Sequence, residues 1–409
     1  MGHGKPRVIF VSTYPPEPCG IGHVTHELVQ ALGSLRDVSV IGNIPSNAPP
    51  VEGAVTREWR KNEILYPVKI LNGVDRASDG PDTIVHVQHH FNLYGGAISV
   101  ALFPVLILLL RLRGYRVVVQ FHSVIDPREL GGLDRRIAGG FPPWLLNRGL
   151  GIFYRTIARL GDRILVWTPS MATLLVETYG LKTDRIWIVP HGWEELMLPA
   201  NEAEPRTELG FGSQRVVMFF GFLDPTKGLG DLLEGFARVH REFADTHLVF
   251  AGAVSPHLEK AGKDFLRSLE QQVARLGLAG AVTFTGYIDE GRLEQTLSAA
   301  NVFVLPYTML ASHGGSASLS RVAGFGKPLV VSRISRFADE IVDGETGLLV
   351  TPGRPEEIAA AIRRVLSDPA LATRLGDNLR RLAKDRSWRS SAELLDQKLY
   401  PSLSGGPSN

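Results

Sequence analysis

Two series of short apolar runs, separated by helix-length segments, constrain the fold of this chain more than any other feature. Runs that are apolar throughout and rich in β-branched residues are typical of parallel strands covered on both faces by helices. The first series lies at 7–12, 38–42, 83–88, 116–122, 163–168 and 185–192, and the second at 215–221, 247–253, 281–287, 302–307, 328–332 and 347–352. The sequence therefore predicts two doubly wound, Rossmann-like α/β domains in tandem.

The alternation lapses between Glu194 and Gly212, where the sequence is polar and contains two prolines. We expect the interdomain linker there. A ligand is expected in the cleft between the domains, at the carboxyl ends of the strands. The predicted organisation is a first domain at 1–195, a linker at 196–212, a second domain at 213–388, and at 389–409 a C-terminal helix and tail that pack back on the first domain.

The composition of the sequence excludes several functional classes for this chain. With 409 residues, 44% of them hydrophobic, the chain can bury large cores, and its net charge of +2 gives no signature of nucleic-acid binding. Cys19 is the single cysteine, so a reducing, cytoplasmic compartment is expected. The N-terminal apolar run is too short for a secretory signal. The longest apolar run, 98–110, contains Pro104 and falls short of the roughly 18 residues of a membrane span, which predicts a buried helix.

Two glycine-containing loops lie where a strand leads into a helix. The segment 307–332 reads as a strand end, the loop HGGS, a helix and another strand, and GFLDPTKG at 221–228 places Lys227 at the mouth of a similar loop. Backbone N–H groups at a helix start bind anions, a glycine permits close approach, and a lysine adds a compact charge. Both loops are predicted to bind phosphate, although Lys227 also fits a solvated surface residue.

Five segments of the second half are GFLDPTKG, TGYIDEGRL, VFVLPY, GFGKPLVVS and IVDGETGLLVTPGRPEEIA. Their order and spacing resemble those of the retaining glycosyltransferases of family 4, which have the two-domain GT-B architecture. The first half is similar more loosely, through TYPPEPCGIG, VHVQHHFNLYGG, VVVQFHS and IVPHG. The resemblance implies transfer of a sugar from a nucleotide-diphosphate donor, held by the second domain, to an acceptor held by the first. Retention of configuration is implied, with neither a divalent metal nor another cofactor.

The resemblance also implies roles for individual residues. Lys227 would stabilise the leaving diphosphate, and His122, which ends the strand at 116–122, would orient the donor sugar. Tyr287 and Ile288 follow a strand where family members hold the base largely through backbone contacts. The donor side comprises Gly20, Gly22, Phe222, Lys227, Tyr287, Ile288, His313, Gly314, Gly315, Ser316 and Arg321, and the acceptor side comprises His89, His90 and His191.

Three of these positions depart from the family pattern. Phe222 stands where an arginine usually follows the glycine, and the two family glutamates fall on His313 and Arg321. Because arginine has only donors and a fixed charge, Arg321 would face a phosphate and replace the missing cation. His313 would exchange a hydrogen bond with a sugar hydroxyl. The alternative is drift in a protein that has lost donor binding.

Four histidines, His86, His89, His90 and His122, raise the question of a metal site. Strand alternation places His86 and His90 on one face and His89 on the other, and no cysteine or dense carboxylate cluster joins them. The sequence therefore predicts no metal site. One of His89 or His90 is expected to face the acceptor.

A basic region extends from Arg111 to Arg163, with ten arginines against four acidic residues, and aromatic residues are interleaved with it. Two interpretations remain open. The region is either a surface that meets the cytoplasmic face of a membrane or an anionic acceptor, or an ordinary solvated face. The first interpretation would favour a lipid-linked or phosphorylated acceptor over another small molecule or glycan.

The sequence thus favours a metal-independent, retaining glycosyltransferase that acts by front-face attack. Two alternatives remain: a catalytically silent GT-B protein that binds a sugar ligand or a partner, and a GT-B sugar-nucleotide epimerase. The nucleotide, the sugar and the acceptor depend on a few loop contacts, and the sequence predicts none of the three.

Overall fold

The structure is a computed structural model that describes residues 5–17, 19–45, 55–132, 142–194, 203–255, 258–310 and 312–404. The chain divides into two compact units. The first unit comprises Met1–Gly192, Ala311–Ala317 and Trp388–Asn409, and the second comprises Trp193–Leu310 and Ser318–Ser387.

The first unit is built on a parallel sheet. Its strands are β1 (Val8–Ser12), β2 (Val38–Asn43), β3 (Val55–Trp59), β4 (Ile84–His89), β5 (Arg116–Phe121), β7 (Arg163–Val166) and β8 (Ile186–Ile188), while β6 (Ser123–Ile125) lies outside it. The spatial order is β3-β2-β1-β4-β5-β7-β8. Every residue of β1 and β4 is buried, as expected for strands with helices on both faces. The direction of strand addition reverses between β1 and β4, where such folds bind ligands.

Helices connect these strands, and most carry an apolar stripe towards the sheet. They are α1 (Gly20–Gly33), α2 (Tyr66–Ala77), α3 (Ala97–Leu112), α4 (Pro143–Leu160) and α5 (Pro169–Glu177), with 3₁₀ turns at Pro127–Gly132 and Thr183–Arg185. In α1, Val24, Leu28 and Leu32 are buried at helical spacing. None of the helices within the described residues is long and apolar enough to cross a membrane.

The second unit repeats the plan. Its strands are β9 (Arg215–Phe220), β10 (Thr246–Ala251), β11 (Val282–Phe284), β12 (Val302–Leu305), β14 (Leu329–Ser332) and β15 (Leu348–Val350). They are parallel, in the order β11-β10-β9-β12-β14-β15. The direction of strand addition reverses between β9 and β12, which is the second switch point.

Helices again cover this sheet, and their apolar faces fill its core. They are α6 (Ala203–Glu208), α7 (Leu229–Glu242), α8 (Glu259–Arg275), α9 (Glu290–Ser298), α10 (Ala317–Ala323), α11 (Ser335–Ala338), α12 (Pro355–Ser367) and α13 (Pro369–Asp385), with a 3₁₀ turn at Pro225–Lys227. Leu229, Leu232, Leu233 and Phe236 of α7 are buried, so the periodicity of the sequence matches the buried face.

Two pieces of the second half of the sequence belong to the first unit. The strand β13 (Ser312–Gly314) pairs antiparallel with β6, with His313 opposite Val124. The C-terminal segment forms α14 (Trp388–Leu394), a π-helical turn (Leu395–Leu399) and α15 (Tyr400–Ser404). Leu395, Leu399 and Tyr400 are part of the first hydrophobic core.

Polar contacts hold the C-terminal segment in place. Asp396 lies 2.6 Å from the guanidinium of Arg36, and both side chains are buried. The Tyr400 hydroxyl lies 2.8 Å from Nδ1 of His86, and the guanidinium of Arg36 stacks over the Tyr400 ring. The segment is therefore bound to the first sheet by packing and by buried hydrogen bonds.

The predicted fold class, two doubly wound α/β domains, is confirmed, but several details differ. The first unit ends at Gly192 rather than at 195, and α6 lies inside the predicted linker at 196–212. The strands β3, β6 and β13 were not predicted because none of them is a continuous apolar run. The predicted buried helix α3 forms, but it buries only one face, and Ile98 and Leu112 are 66% and 73% exposed.

Candidate active site

The carboxyl end of β9 leads into the loop that carries Lys227. Asp224 starts the 3₁₀ turn, and its carboxylate accepts hydrogen bonds from the backbone N–H of Thr226 at 2.8 Å and from its hydroxyl at 2.6 Å. Gly228 follows with a φ of 66°, and a Cβ there would lie 2.0 Å from the carbonyl oxygen of Pro306. Only glycine fits this position, so the loop is held against the end of β12.

Lys227 lies at the switch point of the second sheet. Its Nζ lies 3.6 Å from the centre of the Tyr307 ring, which follows β12 and is buried. Burial acts to raise the pKa of Tyr307, but Lys227, Ser318 and Arg336 outweigh that effect and lower it. The ammonium group is thus held against an aromatic face at the carboxyl end of β12.

Glycines also line the ends of the neighbouring strands. Gly221 follows β9 with a φ of 131°, and a Cβ there would lie 2.6 Å from the hydroxyl oxygen of Ser318. Gly252 follows β10 with a φ of 148°, and its Cβ would lie 2.2 Å from the carbonyl oxygen of Gly221. These strand ends are therefore closely packed, and only glycine fits at either position.

The predicted base-binding residues follow β11. Tyr287 is 73% exposed, and Ile288 is half-buried against the second core. Gly286 precedes them with a φ of 68° and forms a β-bridge with Gly252. Phe222 is half-buried beside Gly221 and brings no positive charge to this edge.

Arg321 does not stand as an isolated cation. Its Nη1 lies 2.6 Å from Oε2 of Glu194, and both side chains are buried. The backbone N–H of Glu194 also donates to the carbonyl oxygen of Ser320 at 3.2 Å. The expectation that Arg321 replaces a phosphate-binding cation is therefore corrected, because a carboxylate neutralises its charge.

His122 follows β5 in the first unit and is buried. Its Nε2 donates to Oε1 of Gln88 at 2.6 Å, and the Trp167 ring packs edge-on at 5.3 Å. Burial, together with the nearby His90 and His191, holds the pKa of His122 well below its ordinary value. The imidazole is thus neutral, and because Nε2 carries the hydrogen, Nδ1 keeps its lone pair.

A second histidine–glutamine pair lies beside the first. Nε2 of His86 lies 3.0 Å from Oε1 of Gln120, and Gln88 and Gln120 are partners in the register of β4 and β5. Burial lowers the pKa of His86 to about 3. Since both nitrogens of His86 are bonded, to Gln120 and to Tyr400, this histidine has a structural role.

His89 does not face an acceptor, contrary to one of the two predicted options. It is buried among Phe91, Phe103, Phe121 and Phe153, with ring centroids 4.4 to 5.3 Å away. Burial keeps its pKa well below the ordinary value. His90 lies at the end of the strand and is half-buried, and its Nδ1 accepts from the backbone N–H of Asn92 at 3.3 Å.

The predicted HGGS loop is partly a strand. His313 and Gly314 belong to β13, and Nε2 of His313 lies 3.9 Å from the Asp126 carboxylate. The guanidinium of Arg128 donates to that carboxylate at 2.7 Å and is the main cause of the lowered pKa of Asp126. His313 therefore faces an acid that remains ionised.

Gly20 and Gly22 lie in the first turn of α1, close to the segment that follows β13. An added Cβ at Gly20, the first residue of α1, would lie 3.9 Å from the Cβ of Ala317, the first residue of α10. At Gly22, a Cβ would come within 3.4 Å of the backbone of Thr13. No side-chain hydrogen bond caps the start of α1, whose N-cap residue is Cys19.

Gly315 and Ser316 lie in this same region. A Cβ at Gly315 would lie 2.6 Å from Cδ2 of His191, so glycine is required there. His191 is buried between Trp167 and Trp388, and its Nδ1 donates to the carbonyl oxygen of Gly192 at 3.0 Å. Ser316 is buried. His191 therefore constrains the conformation of the loop by direct contact. Its prediction as an acceptor-side residue did not include this structural role.

Sequence reasoning missed four residues of these sites: Gln88, Asp126, Glu194 and Tyr307. Gln88 and Tyr307 lie in or just after predicted strands. Their positions at strand ends could therefore have marked them as candidate site residues. Asp126 and Glu194 lie in loops, and the site residues that they contact, His313 and Arg321, are distant from them in the sequence. In the described part of the chain, no group of three or more histidine, cysteine or acidic side chains has the arrangement of a metal site.

Comparison with known proteins places the chain in a family. Residues 201–382 match the model of the glycosyl transferases group 1, and residues 18–194 match the model of glycosyltransferase family 4. The chain belongs to the group 1 glycosyltransferases with the GT-B fold. The predicted family is thereby confirmed, and the coarse activity, glycosyl transfer, follows from it.

Three relatives illustrate the likeness. A glycogen synthase of Mycobacterium tuberculosis is 25% identical over 412 residues, which cover 94% of this chain and 92% of that protein. A D-inositol 3-phosphate glycosyltransferase of Acidothermus cellulolyticus is 34% identical over 231 residues, which cover 54% of this chain and 48% of that one. The structure of HepE from Anabaena in complex with UDP and glucose superposes with a TM-score of 0.73 at 16% identity, covering 98% of this chain and 100% of that chain.

Proposed function

We propose that the protein transfers a sugar from a nucleoside-diphosphate sugar to an acceptor hydroxyl with retention of configuration, without a divalent metal or another cofactor. The observation that carries the proposal is Lys227, which is held over the Tyr307 ring at the switch point of the second sheet. A cation fixed there is suited to the charge that develops on a departing diphosphate. The UDP and glucose bound by HepE support a donor of this class.

In the proposed reaction, the acceptor oxygen forms a bond to the anomeric carbon on the face from which the diphosphate leaves. The bond between that carbon and the phosphate oxygen breaks, and the acceptor proton passes to the departing phosphate. This route uses no carboxylate nucleophile, which accords with His313 and Arg321 at the positions of the family glutamates. Lys227 stabilises the leaving group, and Nδ1 of His122 accepts a hydrogen bond from a hydroxyl of the donor sugar.

The remaining predicted residues have separate tasks in the proposal. Tyr287 and Ile288 hold the base next to a backbone that glycine leaves accessible, beside Phe222. The first turn of α1, at Gly20 and Gly22, and the segment Gly314–Ser316 supply N–H groups to phosphate. His90 lies on the acceptor side, and His313 with Asp126 offers a polar contact to a sugar hydroxyl.

A thermal-shift screen with UDP, GDP, ADP and their sugar conjugates tests donor binding, because a ligand that binds only the folded state raises the midpoint. The best conjugate then serves in turnover assays with Lys227→Ala, which should lower kcat/KM by about 10²- to 10³-fold. Lys398→Ala, at an exposed lysine of the C-terminal segment, is the matched control and should behave like the wild type.

Five results would contradict the proposal. Unchanged kcat/KM in Lys227→Ala would remove this lysine from the transition state. Loss of turnover on addition of EDTA would show that a metal is needed, and an inverted anomer in the NMR spectrum of the product would exclude retention. A folded protein that shifts with none of the nucleotides would favour a silent relative, and conversion of the donor in the absence of an acceptor would favour an epimerase.

A further inference from the structure

Helix α3 presents an apolar stripe to the outside of the first unit. Five of its exposed residues are apolar and recur every three or four positions: Ile98, Ala101, Val105, Leu108 and Leu112. Arg111 is the one exposed charged residue of this helix and lies in its last turn. The opposite face, with Phe103, Leu106, Ile107 and Leu110, is buried in the core. A helix on the surface of a globular unit normally carries polar residues on its outer face, so this stripe needs a partner.

The start of α2 extends the stripe. Ile64, Leu65 and Val68 are exposed there. Two contacts join the start of α2 to the start of α3: the backbone N–H of Gly96 donates to Oδ1 of Asn62 at 2.8 Å, and the Tyr66 hydroxyl donates to the carbonyl oxygen of Ser99 at 2.9 Å. The exposed apolar residues of both helices therefore lie on adjoining parts of the surface.

Helix α4 adjoins α3 on its other side. Trp144 and Ile152 of α4 are 67% and 57% exposed, and Leu145 is exposed as well. The rings of Phe103 and Phe153 pack 6.2 Å apart between the helices. The exposed residues of α2, α3 and α4 form one area, the α2–α4 surface: Ile64, Leu65, Val68, Ile98, Ala101, Val105, Leu108, Leu112, Trp144, Leu145 and Ile152.

The charged side chains of α3 and α4 are all positive. Helices α3 and α4 contain no acidic residue. On α4, Arg148, Arg155 and Arg159 are exposed, and among the described residues no carboxylate pairs with Arg148 or Arg159. By contrast, Arg111 and Arg113 at the end of α3 pair with Asp162 and Asp75. The unpaired positive charge is therefore on α4, beside the apolar stripe.

We propose that the α2–α4 surface docks on an anionic lipid bilayer. Apolar side chains at a helix face, a tryptophan at one end and arginines beside them match the pattern of interfacial membrane binding, in which the apolar groups enter the bilayer boundary and the cations meet lipid phosphates. The proposed contact is peripheral, with the helices lying in the plane of the membrane interface. This binding is independent of the proposed enzymatic activity, since it needs neither donor nor acceptor.

The surface also has a defined place in the first unit. Its helices follow parallel strands, so the starts of α2, α3 and α4 lie at the carboxyl edge of the sheet. Ile64, Ile98 and Trp144 are therefore at the same edge as His122. A bilayer bound there would adjoin the edge at which a parallel sheet of this type binds its ligands.

Sedimentation of the full chain with vesicles tests the proposal. We expect binding to vesicles that contain phosphatidylglycerol, weaker binding to pure phosphatidylcholine, and a decrease as salt is raised. The double variant Ile98→Ser with Leu112→Ser should lower the partition coefficient about tenfold or more. The charge variant Arg148→Glu with Arg159→Glu should lower it about tenfold on anionic vesicles and leave binding to neutral ones unchanged.

Val342→Ser is the matched control, because Val342 is an exposed apolar residue of the second unit, and its partition should equal that of the wild type. Thermal melts establish whether each variant is folded. If the apolar variant is unfolded, the result with the charge variant tests the proposal. The proposal is overturned if the wild type stays in solution, if anionic and neutral vesicles bind equally, or if neither double variant weakens binding. It is also overturned if light scattering shows a dimer that Leu112→Ser dissociates, which would make the surface a contact between copies of the chain.

Discussion

The two units share a fold but hold their buried polar groups in different ways. On β4 and β5 of the first unit, two histidines are paired with two glutamines, and burial keeps these imidazoles uncharged. In the second unit, Arg321 and Glu194 form a buried ion pair, as Arg36 and Asp396 do in the first, and Arg386 contacts the buried carboxyl group of Glu340. The neutral hydrogen-bonded network on β4 and β5 and the charged contacts of the second unit should respond differently to mutation and to pH.

The largest effect is expected at the pair of Arg321 and Glu194. Arg321→Ala removes the cation and leaves a buried carboxylate, which should lower the free energy of unfolding by about 3–5 kcal/mol. Urea denaturation measures the change. Arg267→Ala is the matched control, because Arg267 pairs with Asp264 on the exposed side of α8, and it should cost less than about 1 kcal/mol.

Exchanging the charges of Arg321 and Glu194 tests the same ion pair more directly. Arg321→Glu alone puts two carboxylates together and should destabilise the protein at least as much as Arg321→Ala. Adding Glu194→Arg should recover part of the loss, and the coupling from the double-mutant cycle measures the pair. Equal stability of Arg321→Ala and Arg267→Ala would show that the pair does not contribute and would break the contrast between the units.

The second prediction concerns pH and Glu340. Burial raises the pKa of Glu340 from 4.5 to about 7, although Arg386 opposes the shift. The folded state therefore holds a proton that the unfolded state has lost, so this group stabilises the fold at low pH and the contribution disappears as the pH rises through about 7. Between pH 5 and pH 7.5, the advantage of the wild type over Glu340→Gln should shrink by about 2 kcal/mol.

The buried histidines of the first unit act in the opposite direction. Their pKa values are lowered, so the unfolded state takes up protons first and stability falls as the pH drops below about 6.5. Taking the difference between wild type and Glu340→Gln cancels this contribution. If the difference were constant across the range, or grew towards neutral pH, Glu340 would be ionised in the folded protein and the prediction would be wrong.

The third prediction tests the neutral network at His122. Gln88→Leu removes the acceptor that fixes the tautomer, and kcat/KM should fall about tenfold because Nδ1 no longer stands ready to accept. Gln88→Glu should instead raise the pKa of His122 through its carboxylate. In that variant kcat/KM should fall as the pH drops through the new pKa, whereas the wild type should show no such limb because its imidazole stays neutral.

Gln120→Leu is the control for this experiment. Gln120 is the register partner of Gln88 and holds the structural His86, so its loss should lower stability but leave kcat/KM near the wild-type value. If Gln120→Leu and Gln88→Leu reduce kcat/KM equally, or if Gln88→Glu has a flat pH profile, Gln88 has no positioning role beyond packing.

Sequence reasoning predicted the fold because the strands of both sheets are continuous apolar runs, which local chemistry determines. It did not predict β3, whose sequence VTREW is polar, or β13, where SHG forms a strand only by pairing with β6. Lys227 was predicted from its loop, and the structure adds the Tyr307 ring, which stands 80 residues later in the sequence. The ion pair of Arg321 could not be predicted, because Glu194 lies in a loop far away in the sequence and only the tertiary structure brings the two residues together.

His89 is a second residue whose surroundings could not be predicted from the local sequence. Strand alternation assigned it a face correctly, but the face is filled by four phenylalanines drawn from β5, α3, α4 and the loop after β4. No local pattern could indicate this enclosure. The site residues thus remain predictions to be tested, whereas the fold and the family are established.

The strand β13 and the helices α14 and α15 belong to the first unit although they are encoded after the start of the second. A gene cut at the predicted linker would therefore yield a first half that lacks the partner of β6 and the cover that Tyr400 gives to His86. Chimeras that exchange the second unit between related enzymes would need to leave 312–317 and 388–404 with the first. The exchangeable module is consequently a set of discontinuous segments, and the order of the chain does not mark its limits.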